Sequence, residues 1–220
     1  MPPAGPRSPE DPGEDRDERL RLPVAPDEEF FHGDPPLAAL FGGERADRPL
    51  EVEFGTGKGR FLLESARLHR DRDFLGIERS LAYYRIARDR IARAALTNAR
   101  VLRADAAEIV ERLPRGSVSG FHAYFLDPWP KKRQRKRRLL GPSFLAGAAV
   151  RARPGALFRI VTDHAEYAEA IREAIDVAIA RGAPWTVGDW DSVPAPPPTS
   201  YEIKYRAAGR TFHRFLLIRT

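Results

Sequence analysis

The sequence predicts an α/β fold built on a mostly parallel, doubly wound sheet. From residue 50 onward, short apolar segments typical of strands alternate with longer segments that carry a helical apolar period. This alternation is the pattern of βα units, in which helices cover both faces of a parallel sheet. A length of 220 residues is enough for one domain with a substantial core.

The predicted elements follow one another in a regular order. The second helix has its apolar residues at Leu81, Tyr84, Ile86, Ile91 and Ala95, with arginines on the other side, and the last helix places isoleucines four residues apart. We expect strands at residues 50–54, 74–78, 100–104, 121–126, 156–162, 184–190 and 212–218. We expect helices at residues 59–68, 81–95, 139–152 and 165–181, with Arg153-Pro154-Gly155 closing the third of them.

The N-terminal segment differs in composition from the rest of the chain. Residues 1–27 are rich in Pro, Asp, Glu and Arg, and they cannot bury enough apolar surface to offset the entropy of ordering. We therefore predict a disordered acidic tail at 1–27 and a single domain at 28–220. Residues 1–29 carry a net charge of −5, which leaves +11 on the remainder. Such a basic body favours a polyanionic partner, with solubility alone as the alternative.

Composition excludes several classes of protein. Cysteine is absent, which excludes disulfides, zinc–thiolate sites, iron–sulfur clusters and a cysteine nucleophile. The five histidines are scattered without metal-ligand spacing, so we expect no metal. No apolar run approaches the roughly 20 residues that cross a bilayer, and no secretory signal pattern is visible. We expect a cytoplasmic protein without membrane contact, either a monomer or a homodimer.

Carboxylates occur at or beside the ends of five successive predicted strands. In open α/β sheets the ligand lies outside the carboxyl ends of the strands, so acids gathered there indicate a binding site. The alternative is that each acid merely caps the helix that follows it. The five residues are Glu53, Glu78, Asp105, Asp127 and Asp163.

A glycine loop, EFGTGKG at residues 53–59, follows the first strand and opens a helix. Its spacing differs from the G-x-G-x-x-G of dinucleotide sites and from the phosphate-binding P-loop. Glu53 would repel a pyrophosphate and attract a cation, and Glu78 ends the second strand, where an acid accepts the ribose hydroxyls. S-adenosylmethionine, a nucleoside with an amino acid and a positive charge, satisfies both requirements, and Asp105 would face its adenine amino group. The loop glycines are Gly55, Gly57 and Gly59.

The most informative segment is Asp127-Pro128-Trp129-Pro130, followed by eight residues of which seven are basic. A carboxylate at a strand end is typical of chemistry in an α/β fold, and a cationic run beside it is typical of contact with a phosphate backbone. We expect Arg133 to Arg138 to form an electrostatic face, and Lys131 and Lys132 to lie close enough to the turn for direct contact. Trp129 either stacks on a base or anchors the turn in the core. Together these features predict an enzyme that acts on nucleic acid.

These segments resemble the bacterial tRNA (guanine-N7-)-methyltransferases, a branch of the class I S-adenosylmethionine-dependent methyltransferases. The resemblance extends from about residue 50 to residue 218, with the motifs in family order. The motifs are EFGTGKG at 53–59, GIE at 76–78, Asp105-Ala106, DPWPKKRQRKRR at 127–138, Thr162-Asp163 with Tyr167-Ala168, and TSYE at 199–202 with Lys204. Two departures are the absence of a Pro directly before Asp127 and a longer, more acidic tail, and neither touches a proposed functional position.

The resemblance implies a Rossmann-like fold with a mostly parallel seven-stranded sheet. It implies transfer of a methyl group from S-adenosylmethionine to N7 of the variable-loop guanosine, position 46 of tRNA. The implied cofactor contacts are the loop glycines, Glu53, Glu78, Asp105 and Asp127. The implied contacts to tRNA or guanosine are Lys131, Asp163, Thr199, Ser200, Tyr201 and Glu202.

The predicted catalytic residue is Asp127. Guanine N7 carries a free in-plane lone pair and needs no proton removed, so the protein contributes positioning and electrostatic stabilisation. A carboxylate near the ring stabilises the positive charge that develops on the purine and can accept from its N1–H and N2–H groups. Asp163 and Glu202 are the predicted partners, and which of the three carboxylates meets the Watson–Crick edge stays open. We expect residues 199–202, after a proline-rich loop, to form a mobile loop that orders over the substrate.

Three other functions compete with this one. A methyltransferase of the same fold that acts on another substrate is disfavoured, because amino-adenine and cytosine enzymes tend to use a [DN]-P-P-[YFW] turn. A non-catalytic RNA-binding protein would carry damaged cofactor residues, whereas the glycines and acids here are intact. A nicotinamide-dependent oxidoreductase would favour the longer glycine spacing.

Overall fold

A seven-stranded sheet organises the computed structural model, which describes residues 31–42 and 48–220. The predicted tail at residues 1–27 lies outside the described residues. The strands are β1 (Leu50–Phe54), β2 (Asp73–Glu78), β3 (Ala99–Arg103), β4 (Val118–Tyr124), β5 (Ala152–Thr162), β6 (Trp185–Gly188) and β7 (His213–Arg219). They lie in the order β3-β2-β1-β4-β5-β7-β6. Strands β1 to β5 pair in parallel, and β7 is antiparallel to both β5 and β6. The predicted mostly parallel sheet of seven strands is confirmed.

Seven α-helices occur within the described ranges. They are α1 (Leu37–Phe41), α2 (Arg60–Leu68), α3 (Leu81–Arg93), α4 (Ala106–Arg112), α5 (Pro142–Arg151), α6 (Ala165–Ala180) and α7 (Ser200–Ala207). Two short 3-10 helices cover Lys132–Arg137 and Trp190–Ser192. Within these ranges, no helix is both long and apolar enough to cross a membrane.

Alternate residues of each central strand enter different hydrophobic clusters, so both faces of the sheet are covered. On β2, Phe74 packs in a cluster with residues of α2 and α3, whereas Leu75 and Ile77 belong to the large cluster that includes α5 and α6. Every residue of β2 is buried. Burial on two faces is the expected environment of a parallel sheet with helices on either side. The large cluster centres on Phe54, whose ring lies 5.5 Å from that of Phe121 and 5.0 Å from that of Phe144.

Several boundaries differ from the prediction. The sequence pattern missed α1, α4 and α7, because α1 and α4 have only five and seven residues and α7 has no buried residue to create an apolar period. Strand β4 ends at Tyr124 rather than at residue 126, since Phe125 adopts a positive φ of 54° that no strand accommodates. The segment Arg153-Pro154-Gly155 does not end a helix with a turn; it lies within β5, which follows α5 directly.

A row of buried polar side chains connects β1 to β4 beneath the carboxyl ends of the strands. His122 Nε2 donates to Glu51 at 2.7 Å, and the Tyr124 hydroxyl donates to His122 Nδ1 at 2.8 Å. Arg72 donates to the second Glu51 oxygen at 2.6 Å. A Cβ at Gly120 would lie 3.3 Å from Glu51 Cγ, so the glycine leaves room for this carboxylate. The Glu51, His122 and Tyr124 side chains in the row therefore have partners, whereas the Arg72 Nε atom has none among the described residues.

This row predicts a specific acid sensitivity. Burial alone would raise the pKa of Glu51, but His122 and Arg72 outweigh burial and lower it to about 2. A lowered carboxyl pKa contributes stability above the unfolded value, and that stability is lost as the pH falls towards 2. We expect Glu51→Gln to lower the free energy of unfolding by about 2–3 kcal/mol at pH 7 and by progressively less below pH ~4.5. Urea denaturation at pH 7, 5 and 3 measures the effect.

The control for this prediction is Glu173→Gln, which changes an exposed carboxylate on α6. We expect it to alter the free energy of unfolding by no more than about 0.5 kcal/mol at each pH. A Glu51→Gln deficit that is equally large at pH 3 and pH 7 would mean that packing, and not the ionised carboxylate, supplies the stability.

Candidate active site

A cleft of about 890 Å³ opens at the carboxyl ends of β1, β2 and β4. Of the residues predicted from sequence, six line it: Gly55, Gly57, Glu78, Asp105, Asp127 and Tyr201. Glu53, Gly59, Lys131, Asp163, Thr199, Ser200 and Glu202 are not part of its lining. Within the described ranges, no group of three or more His, Asp or Glu side chains is arranged to hold a metal ion.

All three glycines of the loop have a backbone conformation that favours glycine, and two of them also leave room for a neighbouring side chain. Gly55, Gly57 and Gly59 have φ values of 71°, 57° and 73°, all in the left-handed region. A Cβ at Gly55 would lie 2.4 Å from Cδ2 of Leu126, which directly precedes Asp127 in the neighbouring turn. A Cβ at Gly59 would lie 2.9 Å from Ala87 Cβ, so Gly59 allows α2 to pack closely on α3. Gly59 thus has a packing role in this structure, while Gly55 and Gly57 form the cleft wall.

Glu78 is hydrogen-bonded to the backbone of the glycine loop. Its carboxylate accepts from the backbone N–H of Gly57 at 2.7 Å and from that of Ser80 at 2.7 Å, one bond to each oxygen. Burial raises the pKa of the Glu78 carboxyl against these hydrogen bonds, and the nearby charge of Asp127 adds to the rise. Each carboxylate oxygen has a further lone pair, so Glu78 can still accept from a ligand in the cleft.

Glu53 is a buried carboxylate at the base of the site, with only 4% of its surface exposed. Its Oε2 atom has no hydrogen-bond partner among the described residues. Burial raises the pKa of Glu53 well above its ordinary value, and the charge of Glu78 raises it further, against a hydrogen bond from Thr56. A buried acceptor without a partner is costly, so a cationic donor near Glu53 would relieve both the desolvation and the repulsion.

Asp105 combines the two roles that the sequence left as alternatives. Its side chain accepts from the N–H of Ala107 at 2.9 Å and so caps α4. The same residue lines the cleft and lies 3.5 Å from the Arg79 guanidinium. Capping therefore fixes the direction of the carboxylate at the cleft wall.

Asp127 lies in a strained turn. Phe125 and Trp129, two residues before and after it, have φ values of 54° and 43°, which are unfavourable for residues other than glycine. The Phe125 N–H donates to Val161 at 2.8 Å, and its ring packs edge-on against Tyr205 and Phe212. The guanidinium of Arg137 lies 4.9 Å above the Trp129 ring. The exposed Asp127 carboxylate is thus presented to the cleft by a backbone held on both sides.

The basic run after this turn forms an exposed 3-10 helix at Lys132–Arg137 with no buried residue. Its end differs from the prediction of a uniform electrostatic face. The Arg138 side chain is only 9% exposed, donates to the Pro128 carbonyl at 2.7 Å and pairs with Glu166. Sequence reasoning missed this contact because nothing in a run of arginines distinguishes the buried one.

The segment 199–202 forms the start of α7 rather than a mobile loop. Thr199 is buried and caps the helix by accepting from the N–H of Glu202 at 3.0 Å. Tyr201 lines the cleft, and Ser200 is exposed. Partial burial, with a hydrogen bond to Tyr83, raises the pKa of Tyr201 to about 12. Tyr83, which also lines the cleft, was not predicted, since an exposed tyrosine on a helix gives no sequence signal.

The other two predicted carboxylates are paired with arginines. Asp163 bonds to Arg210, and Glu202 lies 2.7 Å from Arg206 and 3.8 Å from Arg214. The structure therefore brings Asp127 to the cleft and places Asp163 and Glu202 outside its lining, in contact with cations.

The strand order, the antiparallel β7 and the glycine loop facing an acid at the end of β2 define a Rossmann-like methyltransferase fold. The chain belongs to the family described as "Putative methyltransferase", whose model matches residues 47–215.

Curated relatives have substantial sequence identity to the chain. It is 42% identical over 140 residues to the tRNA (guanine-N(7)-)-methyltransferase of Nitrosococcus oceani, an alignment that covers 63% of this chain and 58% of the relative. It is 35% identical over 183 residues to the protein of the same name from Cutibacterium acnes, which covers 80% of this chain and 64% of the relative. The chain thus spans less than two thirds of the length of these relatives.

Solved structures resemble the fold at low identity. The 16S rRNA methyltransferase KamB aligns with a TM-score of 0.57 at 21% identity, covering 86% of this chain and 94% of that chain. A SAM-dependent methyltransferase from Aquifex aeolicus aligns with a TM-score of 0.54 at 16% identity, covering 85% and 94%. At these identities the likeness concerns the fold alone.

Proposed function

We propose that the protein transfers a methyl group from S-adenosylmethionine to N7 of the variable-loop guanosine at position 46 of tRNA. The observation that carries the proposal is the strained Asp127 turn, which stands between the cleft and the exposed basic 3-10 helix. The family of the chain and the names of its relatives support the same reaction. We place the protein in the cytoplasm, as a monomer or homodimer whose domain extends over residues 28–220.

The residues of the cleft, together with the buried Glu53 two positions before Gly55 of its wall, fit S-adenosylmethionine. Glu53 has a buried oxygen without a partner among the described residues, which suits an ammonium group. Glu78 and Asp105 line the cleft as acceptors for hydroxyl and amino hydrogens, and the glycine loop brings backbone close to the cleft. When bound, this cofactor supplies a methyl group activated by a sulfonium centre.

In this reaction Asp127 stabilises the positive charge that develops on the guanine. It does not accept a proton. The N7 lone pair is already free, so no general base is required. A carboxylate fixed in a turn costs little reorganisation as positive charge develops on the purine, which is the condition for effective electrostatic stabilisation. The same oxygens can accept from the N1–H and N2–H of guanine, a pattern that adenine lacks, and so Asp127 favours guanine.

The basic helix supplies affinity for the RNA backbone. Lys132, Arg133, Arg135, Lys136 and Arg137 lie on one short exposed element beside the cleft. Contacts of this kind position the nucleic acid and depend on salt, without reading its sequence. Lys131 precedes the helix and is exposed next to the turn, where it can reach a phosphate of the target nucleotide.

The test of the function is transfer of label from S-adenosylmethionine to two unmodified tRNAs, one with guanosine and one with adenosine at position 46. We expect label on the guanosine tRNA alone, with strand cleavage at that nucleotide after reduction and aniline. Equal label on both would assign the enzyme another target in RNA. No label on either, with the cofactor still bound, would contradict tRNA as the acceptor.

Replacing Asp127 should separate catalysis from binding. We expect Asp127→Ala to lower turnover by about 10²–10³-fold, the usual effect of losing a preorganised electrostatic group, while the Kd for S-adenosylmethionine rises only moderately. Asp127→Asn is the matched control: it keeps the shape of the side chain without its charge, and we expect it to lose most of the same turnover. Single-turnover methylation gives the rate, and near-normal turnover in the alanine variant would remove Asp127 from the mechanism.

The role of Glu53 predicts how cofactor affinity depends on pH. Because burial raises the pKa of Glu53, protonation on acidification should weaken binding of a cation. Calorimetry between pH 7 and 5.5 keeps the cofactor amine protonated, since its pKa is about 8, so a loss of affinity in this range belongs to the protein. We expect Glu53→Gln to weaken binding by about 10–100-fold, as for a lost hydrogen bond to a charged group, and to flatten the pH dependence.

Glu64→Gln is the control for this measurement, because Glu64 lies on the neighbouring α2 and pairs with Arg67 at 3.2 Å, away from the cleft. It should bind the cofactor with the wild-type pH profile. A Glu53→Gln variant that loses affinity but keeps the slope would assign the titration to another group such as Glu78.

A further inference from the structure

Arg138 is unlike the cations that precede it. Its side chain is 9% exposed, and its Nε donates to the Pro128 carbonyl at 2.7 Å. Its two terminal nitrogens donate to the two oxygens of Glu166 at 3.1 and 2.5 Å, and its guanidinium lies 4.9 Å above the ring of the buried Tyr167. A guanidinium with a bidentate carboxylate, a carbonyl acceptor and an aromatic platform has little left to offer a phosphate.

The position of these contacts in the fold is informative. The Pro128 carbonyl belongs to the peptide bond between Pro128 and the left-handed Trp129, so its orientation helps to set the turn that presents Asp127. Glu166 lies in the first turn of α6, directly after the end of β5. Arg138 therefore connects the turn after β4 to the helix after β5, and it also lines the cleft itself.

The strained backbone of the Asp127 turn needs contacts that hold it in place, and the contacts of Arg138 provide one of them. A positive φ at a tryptophan persists only where the surroundings determine it. On the Phe125 side, ring packing supplies that constraint. On the Trp129 side, the bond from Arg138 to Pro128 is the hydrogen bond that fixes the preceding peptide, and Glu166 fixes Arg138.

We propose that Arg138, held by Glu166, is a positioning residue that fixes the Asp127 turn and does not belong to the RNA-contacting cations of the basic run. The proposal rests on the proposed function, since it assigns the two residues a role in the same site. The eight residues after Pro130 then have two roles. The exposed segment 131–137 provides affinity for RNA, and Arg138 positions the Asp127 turn.

A variant of Glu166 can distinguish the positioning role of Arg138 from RNA contact, because it changes the charge around Arg138. Glu166→Gln removes a negative charge and releases Arg138, together with Arg135, which lies 3.2 Å from the same carboxylate. If Arg138 contacted RNA, the released cations would strengthen tRNA binding and steepen its salt dependence. If Arg138 is a positioning residue, the same variant should lower turnover in spite of its greater positive charge.

The experiment compares Arg138→Gln, Arg138→Lys and Glu166→Gln with Arg133→Gln, an equal loss of charge on the exposed helix. For each variant we measure kcat, KM for tRNA, the slope of log affinity against log salt, the Kd for S-adenosylmethionine and the melting temperature. We expect Arg133→Gln to raise KM and to reduce the salt slope by about one. We expect Arg138→Gln to lower kcat at least tenfold and to weaken cofactor binding, with the salt slope unchanged.

The remaining variants distinguish positioning from simple folding support. Arg138→Lys keeps the charge but cannot make the bidentate bond, so a lysine that restores the melting temperature should leave kcat low. Glu166→Gln should reproduce the fall in kcat, and the double variant Arg138→Gln with Glu166→Gln should be no worse than either single variant. Full recovery of kcat with lysine would overturn the proposal.

Two results would overturn the proposal without affecting the proposed function: a salt slope reduced by about one in Arg138→Gln with normal kcat, or tighter tRNA binding in Glu166→Gln with normal kcat. Failure of the proposed function is recognised separately, because the wild-type protein would then not methylate tRNA. In that case the cofactor Kd still tests Arg138, and unaltered binding in Arg138→Gln would overturn its role in the cleft.

Discussion

Parallel strands bring the carboxylates of Glu53, Glu78 and Asp127 to one edge of the sheet, and the repulsion among them governs the architecture of the site. Burial and mutual charge raise the pKa values of Glu53 and Glu78. Raised pKa values of this kind cluster at functional sites, where a bound ligand can remove the repulsion between the carboxylates. The backbone N–H groups that bond to Glu78 offset part of the repulsion, whereas Glu53 keeps an oxygen without a partner among the described residues. The protein itself thus satisfies part of this edge, and a cationic ligand would supply the partner that Glu53 Oε2 lacks.

The same edge explains why the turn at Asp127 is strained. If β4 simply continued, the side chain that follows it would be placed by the pleat of the strand, alternately up and down. The left-handed residues Phe125 and Trp129 instead break the strand and redirect the chain, so that Asp127 faces the cleft. Such backbone has to be held in place by its surroundings. Aromatic packing from α7 and β7 holds one side of the turn, and Arg138 with Glu166 holds the other.

Sequence reasoning predicted the features that follow from local patterns. Apolar segments at the strands, acids at their ends and glycines in the first loop indicated a parallel sheet and the edge that carries the site, because each depends on nearby residues only. Arg138 and Tyr83 were missed, since their roles depend on Glu166 and Tyr201, which are distant in the chain. Helix α7 was missed for a related reason: its stability comes from the cap at Thr199 and from ring contacts, without an apolar face.

Opposite charges occupy neighbouring parts of this site without neutralising each other. Glu53 and Glu78 lie at strand ends, where burial holds both and backbone hydrogen bonds hold Glu78, while the cations lie on a short helix that projects into solvent. Arg138 is placed at the junction of the two regions and pairs with Glu166 rather than with Asp127. Asp163 and Glu202 have arginine partners of their own on the α7 and β7 side. Among the described residues, Asp127 takes part in none of these ion pairs, and its exposed carboxylate lines the cleft without an arginine paired to it. A group that stabilises positive charge on a base needs that condition, since a nearby paired arginine would cancel most of its field.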